Sequence, residues 1–456
     1  MIHYIGMDCH RKTIRACRRN SAGEIVDEVD IAGTHEAIAA YAKEHLTKED
    51  VVALESSFYS RSIARALIPL VARVVISNPL LTKAIAYSKK KTDKVDARVL
   101  SDLLRLDYLP QVWLPDAETE IRRDLCARRA SLVSERTRIK NRIHSVLAAA
   151  LIPVEVSDLF GKSGLAWLAA LPLKEEPRSA IESDQRLLEV IDTEIEAVED
   201  RLAKNGWNEP RVRLLMTLPG VSIAVAQTVL AAIGDVDRFT TPDQFASYLG
   251  LVPSVHQSGE HCYHGPITRR GNGKARWMLI QAAQHIALHP GPLGQSFRRL
   301  LKRKNRNVAV CACARKLAVI AWHMLKKNEP YRYAQPLPTE NKLSKLRVAA
   351  TDDRRKTGPK KGTPAAASRG TGTRTRTTPG LPAVYEREGL PPATPPSKMR
   401  AAEIRYVNEM GANQYVEEIQ SSKTRKQTHS RPGRPECEKT LTNSIATETP
   451  TSMKPT

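Results

Sequence analysis

Over the first hundred residues, short apolar runs alternate with stretches in which apolar positions recur every three or four residues. Residues 4–9 read as a buried strand ending near Asp8, residues 13–18 as a second and 24–31 as a third. The turn composition of Asn20-Ser21-Ala22-Gly23 makes the last two a hairpin. Thr34 is placed to cap a helix running to His45, with Ala37, Ile38 and Tyr41 inward. Val51-Val52-Ala53-Leu54 is a short apolar strand with Glu55 at its end, residues 60–70 are helical, and residues 71–76 form another strand stopped by Asn78-Pro79. Residues 91–106 then read as a helix with Val95, Val99, Leu103 and Leu106 as its apolar stripe. Strands alternating with helices predict an α/β domain over residues 1–115.

The period changes next. In residues 118–151, Leu125, Leu132, Ile139 and Val146 recur every seven positions on a helix crowded with arginines, including Arg128, Arg129 and Arg136. Residues 183–204 repeat the pattern with Leu188, Ile191, Ile195, Val198 and Leu202. A helical coiled-coil or linker region is therefore expected over 116–207, folded back on itself or paired between chains. A mostly α domain follows over 208–333. In it, Leu218-Pro219-Gly220-Val221-Ser222 resembles a helix-hairpin-helix turn, with Gly220 leaving backbone N–H groups free for a phosphate. Residues 250–259 read as a polar loop, and Thr268 to Lys274 as a basic glycine loop. From 334 to 456 proline, threonine, glycine and basic residues dominate, which predicts a disordered basic tail with at most a short helix near 397–418.

Composition narrows the partner. The 456 residues carry a formal net charge of +22, which points to a polyanion. No uninterrupted apolar run approaches the roughly 20 residues of a membrane helix, so nucleic acid is expected rather than a membrane. Seven scattered cysteines without a CxxC pattern, and no secretory leader, suggest a reducing cytoplasm. Lys89, Lys90, Lys91, Arg269, Arg270, Lys274 and Arg276 join the arginines of the long helix as candidate phosphate contacts.

Four acids suggest the chemistry. Asp8 leaves the first strand, Glu55 leaves a later one, and Asp93 and Asp96, three apart, project from one face of a following helix. In an RNase H-like sheet the first strand and its parallel neighbour lie side by side, and a helix across their ends gathers all four carboxylates. Hard oxygen ligands at that density suit Mg²⁺, and two such ions about 4 Å apart serve phosphodiester transfer. His261, Cys262 and His264 lack a fourth ligand at zinc spacing. His256 and His261 flank Ser258 without forming an evident triad.

Taken in order, YIGMDCH, ALESS, SKKKTDKVDARVLSDLL, LMTLPGVSIAVAQTVLAAIGD, FASYLGLVPSVHQSGE and ITRRGNGKARWML resemble the DEDD transposases of the insertion sequence 110 family, related to the Piv/MooV DNA invertases. The resemblance covers residues 3 to 333. It implies a RuvC-type catalytic domain with Asp8, Glu55, Asp93 and Asp96 as its metal-binding acids. It also implies a C-terminal transposase domain whose serine, Ser258 by motif with Ser254 as rival, becomes linked to DNA. A structured guide RNA belongs to the same implication; a dimer or tetramer and a bacterial, nucleoid-associated cytoplasmic setting are expected beside it. Two other readings share some of these features: a RuvC-like junction resolvase, and a non-catalytic nucleic-acid-binding protein.

Overall fold

The computed structural model describes residues 2–86, 92–259, 261–353 and 373–428. They belong to two compact units, residues 1–121 and 122–456.

The first unit is built on one mixed sheet. Its elements are β1 (Tyr4–Cys9), β2 (Thr13–Arg19), β3 (Ile25–Ala32), α1 (His35–His45), β4 (Val51–Leu54), α2 (Ser60–Leu67), β5 (Arg73–Ser77), α3 (Pro79–Ile85), α4 (Asp93–Arg105) and β6 (Gln111–Val112). Strand order is β3-β2-β1-β4-β5-β6. β1 is antiparallel to β2, and β2 to β3, whereas β1, β4 and β5 run parallel. The two-residue period of β1 sorts its side chains. Ile5, Met7 and Cys9 enter the core made with Ile38 and Tyr41 of α1 and Ile63, Ala64 and Leu67 of α2. Gly6 and Asp8 face the other way, toward α4. On that side Ala53 and Val75 of the sheet meet Leu100 and Leu104 of α4.

Helix α4 is rotated from the expectation. Its buried residues are Ala97, Leu100, Ser101 and Leu104, while Val95, Val99 and Leu103 are only half-buried and Leu106 is exposed. The reason is steric. A Cβ on Gly6 would lie 2.2 Å from the Ala97 carbonyl oxygen and 2.5 Å from the Ser101 nitrogen, so helix and strand backbones touch. Such an approach needs glycine on the strand and small residues on the helix. Residues 93, 97, 100, 101 and 104 share one helical face, so Asp93 continues the buried stripe past the end of the sheet. Glu28 on β3 fixes the helix further, accepting from Arg98 Nε (2.6 Å) and pairing with Lys94 Nζ (3.0 Å).

The second unit is helical: α5 (Ala117–Ala149, entered from the first unit), α6 (Lys162–Ala170), α7 (Glu175–Trp207), α8 (Pro210–Leu215), α9 (Ile223–Ile233) and α10 (Pro242–Tyr248), then strands β7 (Pro253–Ser258) and β8 (His261–Ile267), then α11 (Gly273–Gln284), α12 (Pro292–Leu301), α13 (Arg306–Lys327) and α14 (Pro336–Thr351). α5 and α7 form an antiparallel pair within the chain. Leu125, Leu132, Ile195, Val198 and Leu202 share one cluster, and Ile139, Ile143, Leu147, Ile181 and Leu188 another. α13 is long and apolar enough to span a membrane. Ala309, Cys313, Leu317, Ala321 and Trp322 on it instead join the main core of the unit.

Two expectations for this unit fail. Residues 253–258, within the expected loop of 250–259, are instead a strand, paired antiparallel with 261–267. And the segment beyond 333 is not uniformly without structure: α14 is followed by α15 (Leu381–Arg387), α16 (Ala401–Glu409) and α17 (Asn413–Gln420). Leu343, Leu346, Leu381, Val384, Tyr385, Val407, Val416 and Ile419 are buried in the same core as α13. Each such burial contributes roughly 1.5–3 kcal/mol against the ordering entropy of these helices. Residues 354–372 and 429–456 of the expected tail lie outside the described residues.

Candidate functional site: an acid cluster and a serine-tipped hairpin

Asp8 is the anchor of the acid cluster. It sits near the end of β1, 1% exposed. Met7 registers with Leu54, and the Glu55 N–H donates to the Met7 carbonyl (3.0 Å), so the ladder carries Glu55 alongside Asp8 on the parallel neighbour. The N-terminus of α4 supplies the rest: Thr92 caps it by accepting from Val95 N–H, and Asp93 and Asp96 occupy its first turn, where the helix dipole favours negative charge.

An unexpected residue joins them. His10 Nε2 lies 3.2 Å from Asp8 Oδ2 and 3.4 Å from Asp93 Oδ1. One ligand atom from each of Asp8, His10 and Asp93 lies within 4.8 Å of the others. Sequence reasoning passed over His10, although its place two residues after Asp8 was a usable signal. The field around the cluster is negative. The charge of Asp8 pushes the His10 imidazole up from its usual range; burial opposes it, and Asp93, a hydrogen bond with Asp8, and Glu55 add to the rise. Burial, then Asp8 and Glu55, push the Cys9 thiol up to about 12.

The donors suit a hard divalent cation. Asp8 Oδ1 is buried and receives no hydrogen bond among the described residues, an expensive state for a carboxylate oxygen unless a cation serves it. Asp8, His10 and Asp93 present oxygen and imidazole donors at coordination spacing, with Glu55 and Asp96 on the adjoining strand end and helix turn.

Ser258 has a different setting. It is the last residue of β7, exposed, directly opposite His261 of β8. Gly259 follows at φ 58°, and a Cβ there would meet nothing within 4 Å. His256 faces Tyr263 and is exposed, as are His261, Cys262 and His264. Cys262 Sγ lies 3.8 Å from His264 Nε2, and no zinc-binding set forms around them among the described residues. Ser254 lies at the half-buried base of the hairpin, where a Cβ on Gly265 would lie 2.4 Å from its Oγ.

Known proteins resemble this chain across both units. Residues 5–152 match the DEDD transposase domain of IS110 elements, and residues 212–298 match the transposase IS116/IS110/IS902 family. The chain carries both domains of the IS110-type transposases. It is 27% identical over 280 residues to the transposase of insertion sequence element IS1328 of Yersinia enterocolitica, covering 60% of this chain and 82% of that one. It is 28% identical over 258 residues to the transposase of insertion sequence element IS1111A of Coxiella burnetii, covering 53% and 68%. A pilin gene-inverting protein of Moraxella bovis is 26% identical over 270 residues, covering 57% and 74%. These relatives mark the chain as a DNA transposase or recombinase, an enzyme of DNA transposition.

For the transposase, the basic residues fall into two kinds. On α5, Arg128 pairs with Glu194 (3.6 Å), Arg129 with Glu199 (2.6 Å) and Arg136 with Asp192 (3.1 Å), all acids of α7. They hold the helix pair together, and only Arg128 keeps more than half of its side chain exposed, at 59%. Arg269, Arg270 and Lys274, by contrast, are exposed and make no ion pair among the described residues. Arg276 donates to the Leu249 carbonyl (3.1 Å), buttressing the turn on which that loop rests. Gly220 answers to packing: at φ 73°, its Cβ position would lie 2.3 Å from the Ala282 carbonyl oxygen. Ser222 caps α9 beside it. Lys89, Lys90 and Lys91 lie outside the described residues.

Proposed function

We propose that the chain is the site-specific recombinase of an insertion sequence, cutting and rejoining DNA with Asp8, Glu55, Asp93 and Asp96 as a Mg²⁺-binding set and Ser258 as nucleophile. The observation that supports this reading is the grouping of Asp8 and Asp93 at ligand spacing, with Glu55 next to Asp8 in the strand register, around a buried Asp8 oxygen that has no donor among the described residues. Mg²⁺ held there supplies charge neutralisation for a phosphodiester. The chain's own residues do the rest. Ser258 Oγ forms the new P–O bond, one phosphodiester P–O bond breaks, and the departing sugar hydroxyl takes up a proton in exchange for the one the serine releases. Reversal with a different DNA hydroxyl rejoins the strands. Arg269, Arg270 and Lys274 contact backbone phosphates.

The sheet order, with β1 parallel to β4 and an antiparallel β1-β2-β3 flank, supports an RNase H-like, RuvC-type catalytic domain. A structured guide RNA, a dimeric or tetrameric assembly and action on the bacterial chromosome complete the proposal. The pilin gene-inverting relative supports a recombinase over a simple resolvase, because inversion requires rejoining. The test is reconstitution: purified full-length protein, the ends of its element, RNA transcribed from the flanking non-coding stretch, and Mg²⁺. Joined recombinant strands are expected. Nicked products alone would favour the resolvase reading, and binding without any cleavage would favour a non-catalytic protein.

A further inference from the structure

The acids account for most of the cluster but not for His10. A histidine whose only task was to balance charge would be served by any position near Asp8. This one places the same ring atom, Nε2, 3.2 Å from a buried aspartate oxygen and 3.4 Å from a second aspartate on another element. Ligands at about 2.1 Å from an octahedral ion stand about 3 Å apart when adjacent and about 4.2 Å apart when opposite. The 4.8 Å envelope of Asp8, His10 and Asp93 is therefore one that small side-chain adjustments bring onto a single ion. The chemistry of the neighbours agrees. Asp8 is 1% exposed, its Oδ1 has no donor among the described residues, and the His10 ring is 54% exposed, leaving room on the solvent side for water or a phosphate oxygen. The nearest thiol, Cys9, lies on the opposite face of β1 in the core.

The geometry points to His10 as a metal ligand outside the acidic set, sharing one ion with Asp8 and Asp93 and biasing that position toward Mn²⁺ over Mg²⁺. Imidazole nitrogen is a better partner for first-row transition ions than for Mg²⁺, which prefers oxygen and holds its waters. Oxygen ligands from Glu55 and Asp96 keep a second position hard. The inference rests on the proposed acid-bound metal site and adds a donor atom and a metal preference to it.

Electron spin-echo spectroscopy of Mn²⁺ on the untagged full-length protein reads the ligand directly, because a coordinated imidazole imprints ¹⁴N modulation on the manganese signal. Wild type should show it and His10→Ala should lose it. By calorimetry, the same variant should bind Mn²⁺ at least about tenfold more weakly while Mg²⁺ affinity changes about twofold or less, so the preference ratio collapses. Bound manganese without ¹⁴N modulation, or modulation that survives His10→Ala, would overturn the inference while leaving the acid site standing. Failure of wild type to bind either ion, or binding indifferent to Asp8→Asn, would overturn the acid site itself and this inference with it.

Discussion

The acid cluster and the serine hairpin are built in opposite ways. The cluster is over-determined: its central carboxylate is buried, a helix backbone rests on its strand at Gly6, and Glu28 ties that helix to the sheet. Ser258 stands on an exposed ribbon beside a glycine with open space around it. The proposed roles fit this difference: like charges disperse unless a rigid frame holds them, whereas a serine on an open ribbon is accessible to a DNA backbone. Stability should therefore be sensitive in the frame that holds the acids, as at Gly6, and nearly indifferent around the serine, and cleavage should depend on both.

The largest expected effect separates activity from stability. Asp8→Asn should lower strand cleavage by several kcal/mol of barrier, roughly a thousandfold, while thermal stability stays level or rises because one crowded charge is gone. A parallel fall in stability would mean that Asp8 is a structural residue.

Next comes a pair of glycines. Gly6→Ala drives a methyl to within 2.2 Å of the Ala97 carbonyl oxygen and should destabilise the first unit by about 3 kcal/mol or more. Gly259→Ala meets no atom and should cost roughly 1 kcal/mol, from its positive φ alone. Chemical denaturation followed in each unit decides this, and equal losses would erase the contrast.

Acid should also part the two units. Burial, with the nearby charges of Lys342 and Arg298, holds the His289 imidazole down to about 4 in the second unit. The unfolded chain takes that proton more readily, so this stability is complete above about pH 6.5 and fades as pH falls toward 4. The loss amounts to at most about 3 kcal/mol. In the first unit, hydrogen bonds from Arg98 and Lys94 lower Glu28 to about 2, so its contribution persists until pH drops below about 4.5. Near-UV circular dichroism across this range should show the second unit loosening first, and His289→Gln should flatten its slope.

Much of this organisation was legible in the chain. Alternating strands and helices, the caps at Thr34 and Thr92, and the placement of Asp8 and Glu55 at neighbouring strand ends follow from local chemistry. The face of α4 was misread, because the periodicity of Val95, Val99 and Leu103 says nothing of a strand glycine that admits only small residues beneath it. The hairpin was hidden by the polar composition of 253–267, a ribbon exposed on both faces. The helices beyond 333 were hidden because their few buried residues, such as Leu343 and Tyr385, are spread through a polar background and find their core only in the tertiary fold. The arginines of α5 looked like a binding face because their acidic partners lie some fifty to seventy residues away.

That last point sets the smallest expected effect. Replacing Arg128, Arg129 and Arg136 together by alanine should cost about 1–2 kcal/mol of stability through the lost ion pairs and leave the salt dependence of DNA binding nearly unchanged. Replacing Arg269, Arg270 and Lys274 should flatten that dependence by about 2–3 in the slope of log K against log salt. The reverse result would return the nucleic-acid face to α5.

The most direct test of the central claim is to map the protein–DNA linkage. Full-length protein stalled on its element's DNA with Mg²⁺, digested and sequenced by mass spectrometry, should carry a nucleotide on Ser258. The adduct should vanish in Ser258→Ala and in Asp8→Asn and persist in Ser254→Ala. Free nicked DNA with no adduct, and cleavage indifferent to Ser258, would contradict the account.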